Sequence, residues 1–159
     1  MITSDEKKFM QEAIRLSIVN VAEGKGGPFG AVVVKNGEII ARGVNAVTTN
    51  TDPTAHAEVM AIRHACTALN TFQLHGCDIY TSCEPCPMCL GAIYWARPKA
   101  IYFANNREDA AAAGFDDSML YDEMKSSIAD RKIPITSIGR AEAIKVFEAW
   151  RLDENKIKY

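Results

Sequence analysis

The sequence predicts an α/β fold: a mixed, mostly parallel five-stranded sheet between helices. Three observations lead there: an amphipathic helical pattern opens the chain, an Asn-Gly turn separates two β-branched runs, and strand and helix patterns then alternate. Over residues 5–23, Met10, Ile14, Ile18 and Val21 recur at helical spacing with Phe9, Ala13 and Leu16 beside them, and the stretch 24–28 stops that helix. Residues 31–34 and 38–42 form a hairpin around Lys35-Asn36-Gly37, because Asn-Gly adopts the turn whose twist matches the paired strands. Asp52-Pro53-Thr54 supplies an N-cap and a first-turn proline, so a second helix begins at His56 or just before it, with Val59, Ile62, Cys66 and Leu69 on one face. Residues 77–82 form a buried strand, 86–96 a helix that Pro98 ends, and 99–104 a further strand. Right-handed crossovers through such helices argue for parallel pairing. The stretch 110–124 is partly helical, 133–138 is a strand placed at an edge by Pro134, and 142–152 is a closing helix.

A length of 159 residues supports one domain, and 48% hydrophobic with 24% charged residues supports a buried core. Eighteen basic against 20 acidic residues leave a net charge of −2. No global positive field exists to gather phosphates, so no nucleic acid partner is expected. The polar start Ile2-Thr3-Ser4-Asp5 does not resemble a secretory leader, and no uninterrupted apolar run reaches the roughly 18 residues of a membrane span. Five cysteines, three of them at 83, 86 and 89, do not make a paired disulfide framework. A reducing cytoplasm with metal or redox chemistry fits better.

The residues that carry chemistry are His56-Ala57-Glu58 and, downstream, Pro85-Cys86-Pro87-Met88-Cys89. Each half alone is ambiguous, since Cys-x-x-Cys serves redox pairs, structural zinc sites and plain buried thiols. Together they match the H-x-E…P-C-x-x-C pattern of zinc-dependent nucleobase deaminases. Cys86 and Cys89, three apart in a first helical turn, share a face, and His56 supplies a third ligand from the start of another helix. Three protein ligands leave a fourth tetrahedral position for a water to be activated. Glu58, also in a first turn, can lean toward the metal and carry protons from water to ring nitrogen to departing ammonia. Cys83 rivals Cys89 as a ligand from a position before the helix. A closed structural zinc site using His56, Cys83, Cys86 and Cys89 and a thioredoxin-like pair are the other readings of these thiols. His64 and His75 are surface or capping residues, and Cys66 and Cys77 are core thiols.

With these motifs the sequence resembles the cytidine deaminase superfamily, and within it the small bacterial guanine deaminases. The likeness spans nearly the whole chain, through residues 26–31, Asn45, 52–58, 81–98 and Gly114-Phe115-Asp116-Asp117. It implies a cytidine deaminase-like three-layer sandwich, zinc, and hydrolysis of guanine to xanthine and ammonia. It implies that Asn45 hydrogen-bonds the purine, that Asp117 contacts its polar edge, that Phe29 and His56 sandwich the ring, and that Ala57 belongs to the same binding wall. It further implies a homodimer in which the segment from about residue 140 to Tyr159 crosses to cover the partner's site, with Trp95 near that boundary. A tRNA adenosine deaminase, a cytosine or aminotriazine amidohydrolase, and a non-catalytic zinc protein are the alternatives.

Overall fold

In the computed structural model, which describes residues 2–159, four strands form one sheet in the order β2-β1-β3-β4. Helix α1 (Ser4–Ala22) comes first, then β1 (Gly30–Lys35), β2 (Glu38–Val44), a single turn α2 (Val47–Asn50), α3 (Ala57–Leu69) and β3 (Cys77–Cys83). Helix α4 (Pro87–Ala96), β4 (Ala100–Asn105) and α5 (Arg107–Ala112) follow, then α6 (Ser118–Lys125) and α7 (Arg140–Leu152). The chain divides into two compact units, one running to Asp117 and one comprising Ser118–Tyr159.

The first unit is a three-layer α/β/α sandwich, as expected. Strand β1 shows why. Its alternating side chains serve two cores: Val32 and Val34 pack with Phe9, Ala13 and Tyr80 under α1, while Ala31 and Val33 pack with Ala57, Ala61, Ala65 and Ile79 under α3. Asn36 and Gly37 both take positive φ (51° and 80°), the conformation that Asn-Gly lets a two-residue hairpin adopt.

Three expectations are corrected. The sheet has four strands, because residues 133–138 form no ladder among the described residues: Pro134 removes a donor, and Ile133 and Ile138 are exposed. Strands β2, β3 and β4 do point the same way, but β1 runs against them from a position between β2 and β3. Only β3–β4 is therefore parallel. The face that α1 turns inward is Phe9, Ala13, Ser17 and Asn20, one position off the apolar stripe, so Ile18 and Val21 are exposed. Ala13 and Ser17 hold the middle of that face because α1 lies close to β1 there, where a Cβ on Gly30 would fall on the Ala13 carbonyl and the Ser17 amide.

One ion cluster ties α1 to β2. Glu12 accepts from Arg15 Nε at 2.7 Å and Nη2 at 3.0 Å, and from Arg42 Nε at 2.7 Å. The Arg15 guanidinium, with Arg42, holds the Glu12 carboxyl down from 4.5 to about 2. A depressed folded-state pKa stabilises above the unfolded value and is lost as pH falls through the folded one. Glu12→Gln is thus expected to lose about 1 kcal/mol near neutrality, modest because both arginines are more than half exposed. In urea titrations the gap between variant and wild type should close as pH falls from 4.5 toward 2.

Candidate active site

The approach to α3 is a tight Asp turn, in which Asp52 Oδ1 accepts from the Thr54 amide at 2.8 Å and its hydroxyl at 2.7 Å. That turn delivers His56 as the N-cap of α3 in an extended conformation, with no capping bond from its side chain, so the imidazole is free to point away from the helix. Cys86 occupies the same place on α4, again an extended N-cap without a side-chain cap, and Pro87 pre-sets the first turn behind it. Cys89 then sits one helical turn on, buried, its sulfur on the same face. Two helix N-termini, each with partial positive charge, so present the donors.

The three ligand atoms lie within 4.8 Å of one another. His56 Nδ1 is 3.6 Å from Cys86 Sγ and 3.4 Å from Cys89 Sγ. A tetrahedral zinc with bonds of about 2.3 Å to sulfur and about 2.05 Å to nitrogen has N···S edges of about 3.6 Å, so this donor set fits zinc. Cys83 does not join it. Its Sγ donates to the Asn106 carbonyl at 3.6 Å, and burial pushes its thiol up to about 11.

Electrostatics distinguish the two sulfurs. A hydrogen bond with Cys89, and then one with His56, holds the Cys86 thiol down at about 4, while the Cys86 sulfur and burial push Cys89 up. His56 is raised, chiefly by its bond with Cys86. Glu58, in the first turn of α3, is 6% exposed, and burial raises its carboxyl above the ordinary range. A carboxyl so raised holds a proton more readily than an exposed one, which suits a group that takes and gives protons.

These residues open into a pocket of about 500 Å³ lined by both expected and unexpected side chains. His56, Glu58 and Cys86 line it, and so do Phe29, Asn45 and Asp117. Asn45 Oδ1 accepts from the Gly27 amide at 3.2 Å and the Val47 amide at 3.4 Å. Its acceptor is committed to backbone, which leaves Nδ2 as the group it can offer. Burial, and then the Cys86 sulfur, raise Asp117. Phe29 meets Phe115 edge-on at 5.0 Å.

Ala57 and Trp95 do not line this pocket. Ala57 is fully buried in the core beneath α3, Trp95 is exposed at the end of α4, and Tyr159 is exposed at the end of the second unit. His64 instead bonds the Arg42 carbonyl at 2.8 Å and His75 the Gln73 side chain at 2.8 Å, as surface histidines do.

Residues 3–105 match the family model for the cytidine and deoxycytidylate deaminase zinc-binding region. The chain belongs to this deaminase family. The deaminase is 54% identical over 155 residues to guanine deaminase of Bacillus subtilis, covering 98% of this chain and 99% of that protein. A crystal structure of guanine deaminase from Bacillus subtilis superposes with a TM-score of 0.94 at 55% identity, over 96% of this chain and 98% of that one. A tRNA-specific adenosine deaminase of the same organism is 47% identical, but over 64% of this chain and 62% of its own length. In this deaminase the pocket also takes in Thr48, Glu84 and Arg107, which sequence reasoning missed. Glu84 accepts from the Arg107 amide at 3.2 Å and so joins the end of β3 to the start of α5. Its place two residues before Cys86 was the available clue. For Arg107, which belongs to none of the motifs, there was none.

Proposed function

We propose that this chain hydrolyses free guanine to xanthine and ammonia, using zinc held by His56, Cys86 and Cys89. The observation that carries the reading is identity to a guanine deaminase over nearly the full length, where likeness to a tRNA deaminase stops at about two thirds of the chain. Zinc at that donor set supplies Lewis-acid activation of the attacking water. Glu58 accepts a proton from the water as it adds to the amino-bearing ring carbon and passes it to the neighbouring ring nitrogen; it then takes the second proton from the added hydroxyl, which becomes the carbonyl, and delivers it to the amino group as its carbon–nitrogen bond breaks. Asn45 Nδ2 donates to an acceptor on the purine, and the Asp117 carboxylate accepts from the N–H groups on its edge. Phe29 stacks on the ring and gives affinity without selectivity.

The test is a substrate panel followed by ultraviolet absorbance and ammonia release. Guanine turnover well above that on cytosine, aminotriazines and nucleosides is expected, and inosine formation in a tRNA anticodon loop with no guanine turnover would favour the adenosine deaminase instead.

The enzyme works as a cytoplasmic homodimer in this reading, with the segment from about residue 140 to Tyr159 exchanged between subunits and Tyr159 and Trp95 completing the site. Two facts support exchange: no residue of 118–159 is buried, and Val146, Phe147 and Trp150 of α7 are exposed. Two inactive chains should then rescue each other. Glu58→Ala and a chain ending before Lys156, refolded together, should recover about a quarter of wild-type activity, since about half the dimers are mixed and one of their two sites is whole. Heterodimers seen by native mass spectrometry without recovered activity would rule out exchange.

A further inference from the structure

Asn20 is the one large polar residue on the inward face of α1, 2% exposed and outside the pocket wall. Its Nδ2 donates to two carbonyls at once, Gly27 at 2.9 Å and Asn45 at 2.9 Å. Those carbonyls belong to the two chain segments that make one side of the pocket, for Gly26, Gly27 and Phe29 line it from one segment and Asn45 and Val47 from the other. The segments are also bonded to each other, Asn45 N–H to the Phe29 carbonyl at 3.1 Å and Gly27 N–H to Asn45 Oδ1 at 3.2 Å. They lie so close that a Cβ on Gly26 would fall on the Asn45 carbonyl oxygen. Asn20 Oδ1 is buried with no hydrogen-bond partner among the described residues. An unpaired buried acceptor destabilises, so the use of this side chain is its donor pair.

We infer that Asn20 is a positioning residue for substrate recognition: by gripping the Gly27 and Asn45 carbonyls it sets the angle at which the Asn45 carboxamide faces the purine. The chain of cause runs from the Asn20 donors to the two backbones, from Gly27 N–H to Asn45 Oδ1, and so to the direction of Asn45 Nδ2. Removing Asn20 leaves two buried carbonyls unpaired and lets the segments part, which loosens a group whose use depends on its placement. The inference rests on Asn45 contacting the bound base, as proposed above.

The experiment is a double-mutant cycle between Asn20→Ala and Asn45→Ala, read as kcat and KM, with zinc content and circular dichroism on each variant. Asn20→Ala should raise KM about tenfold and lower kcat less, with zinc retained. In the Asn45→Ala background the same change should move KM less than twofold, because the group it positions is gone. Equal KM effects in both backgrounds, or none in either, would overturn the inference. If Asn20→Ala does not fold, Asn20→Leu, which keeps volume without donors, takes its place; failure of both to give folded, zinc-loaded protein assigns Asn20 to the fold alone and also overturns it. Absence of guanine turnover by the wild type is seen before any variant is made and strikes the substrate reading only. The cycle is then run on the base that the wild type does accept.

Discussion

Glu58→Gln is expected to bind zinc and guanine as the wild type does while losing at least about a hundredfold in kcat. Glutamine copies the shape of a side chain that is 6% exposed, so the fold has no reason to change, but an amide cannot accept a proton from water and return it to a leaving amine. General acid–base assistance contributes about 10² to 10⁴ in rate, and the proposed mechanism assigns both proton transfers to one carboxyl. Ammonia release measured at saturating guanine, beside elemental analysis, gives the result. A kcat near that of the wild type would mean that another group carries the protons.

Cys86→Ala should abolish both zinc and turnover, and Cys83→Ala should keep both. The contrast follows from geometry, since Cys86 Sγ is 3.6 Å from His56 Nδ1 whereas Cys83 Sγ is engaged with the Asn106 carbonyl. Removing one of three protein ligands leaves two, too few to hold the ion with an open fourth position. One zinc per chain in the Cys83 variant and none in the Cys86 variant is the expected elemental analysis, and the reverse would exchange the roles of the two thiols.

The His56, Cys86 and Cys89 cluster was legible because its spacing is a local property. Cys86 and Cys89 share a turn of one helix, and the Asp52-Pro53-Thr54 turn announces where His56 begins another. The partition of the sheet was not legible. Alternating strand and helix patterns give the direction of successive strands, and three of the four do agree, but sequence does not say that the first strand lies in the middle. Nor could it separate an alternation of isoleucines around Pro134 from a strand, since a strand is defined by a neighbour. The inward face of α1 was missed for a related reason. Close approach to β1 selects alanine and serine over isoleucine, and hydrophobicity alone favours the opposite face. The commitment of Asn45 Oδ1 to two backbone amides depends on residues up to 18 positions away, which no local pattern contains.

Helix α3 lies on the sheet through alanines alone at its most buried positions, Ala57, Ala61 and Ala65, all fully buried, with Gly43 of β2 opposite. A Cβ on Gly43 would fall on the Ala57 carbonyl and the Ala61 amide, so the separation between helix and sheet is fixed by backbone against backbone. This seam has no slack in it. A larger side chain at Gly43 must lift the first turn of α3, and His56 and Glu58 would ride with it. Mutational tolerance should therefore follow thickness as well as chemistry: residues with no reactive atom along this seam would be as intolerant of change as His56, Cys86 and Cys89.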